Sequence, residues 1–597
     1  MNLPEHHLAL MIRNRVKKYG DKIALQEVAA APGAPVKSYT WNELGRQTAR
    51  ASLALLGYGV KPGDRVGIFS QNMPQWTIAD IAILGVRGVS VPLYATHTAE
   101  YAEYIVDEAD ISLVFVGEQQ QFDNIAPLIG GKSLKTAVLF DETIDAKGMP
   151  GVVSFSQFLE EAGDGYRDEL LNRYSGAKKE DLATLIYTSG TTGKPKGVML
   201  DHENLMSAMY MHDGKLNVTD QDISLAFLPL SHVFERAWTF YMLFRGAEVH
   251  YLKNPKEAVN ALQSVRPTLM CTVPRLLEKI YEGVHTKIGK APALQKKLFR
   301  WAVRTGAKRM ERKRLRKPIG AALKVKYQIA EKLVLRRLQG IFGGRIRFMP
   351  CAGSPLLTEI NRFFHSVGVH IKYGYGLSET TATVSAFDDD GFVFGSIGTI
   401  IKGIEVKTGK DNEILVKGPT VMKGYYKKPE ETEAVFEGEW FRTGDAGTID
   451  ENGVLYFNER IKELMKTSVG KYISPQLVES IISSDQFIDQ IAVFGDNRKF
   501  VTALVVPSFE SLEAYAKSKG IDFTSMDDLV NHSSIVQFFR EKIEKLQHKL
   551  PSYEQVKRFK LLPRNFSMEK NEITPTLKLR RNVIEKRYKD EIEKMYD

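Results

Sequence analysis

An apolar stretch at residues 182–187 runs straight into Thr188-Ser189-Gly190-Thr191-Thr192-Gly193-Lys194-Pro195-Lys196-Gly197. The apolar residues read as a buried strand. Hydroxyls and glycines come after them, then two lysines flanking a proline. Glycines let backbone N–H groups close on a phosphate and accept positive φ. The hydroxyls add donors and the lysines add positive charge. The run is therefore built to hold a polyanion at the end of a strand. It is not a Walker A loop, because Pro195 stands where that pattern needs Ser or Thr after the lysine. No Gly-x-Gly-x-x-Gly opens a helix here, so it is not a dinucleotide fingerprint either. A flexible polar linker is not expected to set a proline between two lysines directly after a buried strand.

The stretches before this run alternate. Thr40 and Glu43 form a capping box, Leu44, Ala51 and Leu55 continue one helical face, and Gly57 stops it. Strands are expected over 66–69, 89–93, 113–116 and 137–140, with helices over 76–84 and 98–108. Strands alternating with helices predict an α/β fold, a parallel sheet covered on both faces. At 597 residues the chain exceeds one core, and two to four structural units are expected.

Two cysteines, Cys271 and Cys351, provide no disulfide framework, which fits a reducing compartment. The first residues lack the order of a signal peptide. No window of about 18 uncharged apolar residues offers a membrane span. The most apolar region, 76–94, is broken by Asp80 and Arg87. A cytoplasmic protein is expected.

The formal charge of +10 is unevenly spread. Residues 286–340 carry 18 Lys and Arg against Glu311 and Glu331, a local +16, while the remainder is −6. Within this segment Leu294, Leu298 and Trp301 recur at helical spacing, as do Val325, Ile329 and Leu333, with Pro318 and Gly320 between. This spacing predicts two basic amphipathic helices. Either their apolar faces pack on the main body, or they form a peripheral surface for anionic membrane. No nucleic-acid module is present, so nucleic acid is not expected as a partner.

The run from Tyr187 to Gly197 resembles the signature of the adenylate-forming superfamily, which includes acyl-CoA synthetases, luciferases and peptide-synthetase adenylation domains. Further stretches match in family order. Tyr373-Gly374-Tyr375-Gly376-Leu377-Ser378-Glu379-Thr380 is similar to the family's second signature. The resemblance makes Glu379, with Thr188, the Mg²⁺ ligands. The ring of Tyr375 would stack on adenine, and Ser378 would meet the α-phosphate. Cys351-Ala352-Gly353-Ser354-Pro355 departs from the usual adenine-bordering sequence but keeps its glycine. Asp445 would accept the ribose hydroxyls, Arg460 would hold ribose or phosphate, and Lys462 occupies the hinge position. His232 and Val233 match the acyl and thiol end of the site. Trp238 lies near a family gate position at a different spacing, so no gate role is assigned to it. Lys466, Gly470 and Lys471 match the loop that reaches coenzyme A. Lys578, in Thr574-Pro575-Thr576-Leu577-Lys578, matches the adenylating lysine.

Long-chain fatty acid–CoA ligases are the subgroup this chain resembles most. The resemblance implies a division into 1–461, a large domain of parallel and mixed sheets covered by helices, and 462–597, a small mobile α+β C-terminal domain. It implies ATP, Mg²⁺ and coenzyme A, and a fatty acid substrate. The reaction would form acyl-AMP and pyrophosphate, then acyl-CoA and AMP. Three alternatives stay open: an adenylate former loading a carrier-protein thiol, action on a medium-chain or aryl acid, and a non-catalytic membrane scaffold on the same fold. The oligomeric state is also open, a homodimer included.

Overall fold

The computed structural model describes residues 3–29, 34, 36–188, 194–468, 471–574 and 578–597, with only the backbone of Lys462. A seven-stranded sheet runs in the order Val152–Ser154, Thr136–Leu139, Leu113–Val116, Arg65–Phe69, Val89–Leu93, Leu182–Thr188, Lys196–Asp201. All its pairings are parallel except the last, where Lys196–Asp201 folds back antiparallel on Leu182–Thr188. The parallel strands are apolar on both faces because helices and a second sheet cover them.

The helix Pro74–Gly85 shows why. All its residues are buried, and it touches strands of both the seven-stranded sheet and a four-stranded sheet that contains Ile23–Glu27. A helix that is apolar all round belongs in such an interior. Its single carboxylate, Asp80, takes a bidentate pair from Arg236, at 2.9 Å to Nε and 2.6 Å to Nη2. Arg236 also donates to Oγ1 of Thr184 at 2.6 Å, on the strand that leads to Thr188.

Helix Trp41–Gly57 starts as its capping box predicts. Thr40 Oγ1 accepts from the Glu43 amide and the Glu43 carboxylate accepts from the Thr40 amide. Two further sheets complete the large domain, one containing Ile371–Tyr375 and one built around Glu413–Lys417 and Trp440–Ile449. The smaller C-terminal domain holds the sheet Ile488–Phe494, Val501–Pro507, Val556–Leu561, with its own apolar core. The architecture is thus α/β with mixed sheets and a second, smaller domain. No helix of the described residues is long and apolar enough to cross a membrane.

The basic segment is helical, over Ala293–Arg314 and Ala321–Ala330, and the two helices pack together. Their inner residues Phe299, Ala302, Tyr327 and Ala330 are buried. The apolar residues singled out by spacing are not: Leu294 is 77% exposed, and Trp301, Val325, Ile329 and Leu333 also face out. Of the two readings the spacing leaves open, burial of those stripes against the body is not seen for Leu294, Trp301, Val325, Ile329 and Leu333. A different set of side chains anchors the segment.

Candidate active site

The end of the Leu182–Thr188 strand carries Thr188, paired in register with Lys196. The tight turn Ser378–Thr380 packs on the returning strand. The main chain closes this turn so narrowly that a Cβ at Gly376 would meet Ala382 O at 1.9 Å, so only glycine fits there. Thr381, at φ 51°, ends the turn and donates from Oγ1 to Thr420 O at 2.6 Å. The turn presents Glu379, whose Oε1 accepts from Tyr425 Oη at 2.9 Å.

Tyr425 links the turn to the lysines. The ammonium of Lys196 sits 5.1 Å from the centre of its ring. Lys196 also pairs with Glu431, and it lies on the strand rather than in the loop that the sequence pattern suggests. Lys194 lies 5.2 Å from the ring centre of Tyr104. Tyr104 donates to Glu108 at 2.8 Å, and burial with that carboxylate pushes its phenol up to about 12. Ser189, Gly190, Thr191, Thr192 and Gly193 lie outside the described residues.

A second cluster forms where strand Trp440–Ile449 pairs with Leu455–Arg460, placing Asp445 opposite Arg460. Asp445 is 1% exposed. Its Oδ2 accepts from Tyr375 Oη at 2.7 Å and its Oδ1 from Arg460 Nε at 2.9 Å. Burial, with Asp445 adding to it, drives the Tyr375 phenol far up, so it is a neutral donor. Burial alone would lower the Arg460 guanidinium, but Asp445 overrides it and Arg460 stays charged. Tyr373, on the same strand as Gly374 and Tyr375, accepts from the Leu356 amide at 3.1 Å and donates to Ser354 O at 3.3 Å. It thereby holds the turn at Gly353, which has φ +100°. Ser378 is buried at the start of its turn.

His232 caps the helix Val233–Arg245, its Nδ1 accepting from the Phe234 amide at 3.2 Å. Val233, the first residue of that helix, is buried. Burial first, and then the charge of Lys578, hold the imidazole near pKa 4, so it is neutral at pH 7. Trp238 is buried and donates to Ser224 Oγ at 2.9 Å, a core contact. Nearby Glu235 is fully buried, and burial raises its carboxyl well above the ordinary value against the Leu228 amide, which donates to it at 3.2 Å.

Lys578 arrives from the C-terminal domain. The Thr574 amide donates to Lys578 O at 2.8 Å and the Lys578 amide to Thr574 Oγ1 at 3.0 Å. Arg581, three residues on, donates to Glu479 at 2.6 Å and to Val493 O at 2.6 Å. Water reaches the Lys578 side chain, yet protein crowds it enough that desolvation lowers its ammonium, with Arg460 adding to the effect. Glu463, Asp445 and Glu379 pull the other way. The fold thus brings Lys578, Glu379, Asp445, Arg460 and His232 into one electrostatic neighbourhood. The C-terminal domain is held there by Arg275 on Asp489, at 3.0 Å, and Thr286 on Gln486, at 2.8 Å.

Lys462 lies in the turn Ile461–Glu463, just before this domain. Lys466 and Lys471 belong to a small hairpin, and Gly470 lies outside the described residues. The hairpin bonds to Asp496, Asn497 and Arg498 of its own domain. Sequence reasoning misses Tyr425, Tyr104, Glu431 and Glu463. Only the Tyr425-Tyr426 pair after Gly424 offers a hint.

Residues 12–426 match the family model described as AMP-binding enzyme, and residues 463–597 match that of the AMP-binding enzyme C-terminal domain. The chain belongs to the AMP-binding enzyme family. This AMP-binding enzyme is 30% identical to a long-chain-fatty-acid–CoA ligase of Mycobacterium bovis, over 94% of this chain and 92% of the relative. It is also 30% identical to long-chain-fatty-acid–CoA ligase 5 of Rattus norvegicus, over 95% and 85%. Among solved structures it superimposes on the adenylation domain of a Mycobacterium chelonae carboxylate reductase, with a TM-score of 0.78, 21% identity, and coverage of 100% and 92%. At that identity the likeness speaks for the fold of this AMP-binding enzyme alone.

Proposed function

We infer that the protein is an AMP-forming ligase that joins a long-chain fatty acid to coenzyme A. The observation that carries the reading is the delivery of Lys578 by the C-terminal domain into the field of Glu379, Asp445 and Arg460. The curated ligases matched along nearly the whole chain supply the acid class and the acceptor. The division into 1–461 and 462–597, with the hinge at Lys462, belongs to the same reading.

A fatty acid is already a carboxylate at pH 7, so the first step needs no general base. Its oxygen attacks the α-phosphorus of ATP and pyrophosphate leaves. The obstacle is repulsion between anions. Lys578 stabilises negative charge on the α-phosphate and its bridging oxygen. Residues 188–196 receive the β- and γ-phosphates. Asp445, fixed by Tyr375 and Arg460, keeps lone pairs for the ribose hydroxyls. Thr188 and Glu379 are hard oxygen donors of the kind Mg²⁺ takes alongside phosphates. Bound there, the ion would neutralise phosphate charge. No group of three or more Asp, Glu, His or Cys capable of holding a metal occurs among the described residues, which fits a cation that arrives largely on the nucleotide.

In the second step the coenzyme A thiol loses its proton, its sulfur attacks the acyl carbon and AMP leaves. In support of an adenylating arrangement, Lys578 feels Arg460, Glu463, Asp445 and Glu379, while the backbone N–H of Lys466 bonds to Asp496 of its own domain. Rotation about Lys462 would withdraw Lys578 and bring the hairpin in. The working location in this reading is the cytoplasm.

The test supplies ATP, Mg²⁺ and coenzyme A with acids from short to long chain. The expected products are AMP, pyrophosphate and a long-chain acyl-CoA. Acid-dependent pyrophosphate exchange without acyl-CoA would redirect the reading to a carrier-protein acceptor. Preference for a short or aryl acid would remove the long-chain assignment.

A further inference from the structure

We propose that the outer face of the helical segment 286–340 is a docking surface for an anionic lipid bilayer, with its exposed apolar side chains entering the interface. The proposal rests on the ligase reading only for why the protein should meet lipid. The surface itself is argued from its own residues.

Helix Ala293–Arg314 has two functional sides. Phe299, Ala302, Thr305 and Gly306 are buried, and Gly306 lies so close to the body that a Cβ there would meet Ser366 O at 1.9 Å. Those residues hold the helix down. Leu294, Leu298 and Trp301, one turn apart, lie on another side. Leu294 and Trp301 are exposed. The partner helix repeats the arrangement. Tyr327 and Ala330 are buried, while Val325 and Ile329 are exposed. A single π-helical turn, Glu331–Leu335, comes next, with Leu335 buried and Leu333 exposed. Leu315, in the connection between the helices, is exposed as well.

Six of the fourteen exposed large apolar side chains of the described residues thus fall within this one segment. Scattered single exposures are ordinary, but a concentration of them marks a binding surface. The charges around them select the partner. Fifteen of the segment's 18 Lys and Arg are exposed, and among the described residues only Arg314 and Arg316 form ion pairs, with Glu311 and Asp390. Long basic side chains flanking leucines and a tryptophan match a surface that is anionic outside and apolar beneath. A second copy presenting this same face would meet +16 with +16. Nucleic acid would use the cations but leave Leu294, Val325, Ile329 and Leu333 without a role.

Co-sedimentation of the full chain with phosphatidylcholine vesicles, with and without phosphatidylglycerol, tests the proposal. Binding is expected only with the anionic lipid, and it should weaken sharply between about 0.1 M and about 1 M salt as the Debye length falls to about 3 Å. Lys324→Glu with Lys326→Glu should reduce the partition constant at least about five-fold per residue. Leu294→Ser with Ile329→Ser should reduce it also at low salt, while leaving the thermal unfolding profile and ligase activity on detergent-dispersed acid unchanged. Emission from Trp301 should shift to the blue on vesicles, and Trp301→Phe should abolish the shift. Equal pelleting with neutral lipid, no effect of the serine pair, or binding to nucleic acid but not to vesicles would overturn the proposal. So would serine-sensitive self-association without vesicle binding. Vesicle binding by a protein that activates no long-chain acid would instead overturn the ligase reading and leave the docking face standing.

Discussion

The phenol of Tyr375 donates to Oδ2 of Asp445 at 2.7 Å, and this bond ties the Tyr-Gly-Tyr-Gly strand to the strand pair that carries Arg460. Asp445 is buried, so its remaining lone pairs keep a fixed direction. The sequence leads one to expect Tyr375 as a stacking ring. Its hydroxyl is in addition a positioning group.

Tyr375→Phe keeps the ring and removes the bond. The KM for ATP should rise about ten-fold or more, with a smaller fall in kcat, since loss of one hydrogen bond to a charged group is worth about 1.5–3 kcal/mol. Steady-state kinetics with ATP varied measures this. An unchanged KM would mean that Asp445 does not meet the nucleotide.

Asp80 and Arg236 form a bidentate pair 1–2% exposed. Asp80→Ala leaves the guanidinium buried without its counter-charge, only Thr184 still accepting from it, and should cost about 3–5 kcal/mol in the large domain. The urea midpoint of that domain's transition reads it. Asp80→Leu with Arg236→Met should recover much of the loss. A single substitution without effect on the midpoint would show that water or another group takes over the pairing.

Glu282 lies on the helix Pro274–Gly289, which docks the C-terminal domain. Burial, opposed by Arg275 and reinforced by Glu278 and Asp485, lifts its carboxyl to about 7. The folded protein therefore binds a proton that the unfolded chain, with a value of 4.5, releases first. This contribution is complete below pH 4.5 and is lost as pH rises through about 7. Glu282→Gln should thus stabilise the protein by about 1–2 kcal/mol at pH 8 and by little at pH 4.5. Thermal melts of both proteins across that range decide it. An equal gain at both ends would assign the effect to packing.

The alternation of strands and helices, and the capping box at Thr40 and Glu43, are legible in the sequence because each depends on residues close together along the chain. The bonds that define the site span long distances. Tyr425 and Glu379 are 46 residues apart, and Asp80 and Arg236 are 156 apart. No local pattern pairs them. In the sequence Asp80 merely interrupts an apolar run, and only the fold supplies its partner. The basic helices show a different limit. Their periodicity marks apolar stripes on each helix, but periodicity does not say which stripe meets the body. Gly306 and Ala302 decide that, being small enough for close approach. Leu294 and Trp301 are left outside.

The central claim is that one site runs two half-reactions and that Lys578 serves only the first. Lys578→Ala, assayed separately for acid-dependent pyrophosphate exchange and for acyl-CoA formation from supplied acyl-AMP, tests it most directly. Exchange should fall at least about a hundred-fold while thioester formation survives. In the unsubstituted protein, exchange should fade on the alkaline side below the usual lysine value of 10.5, because the ammonium is lowered by desolvation and Arg460. Equal loss of both half-reactions in Lys578→Ala would contradict the account.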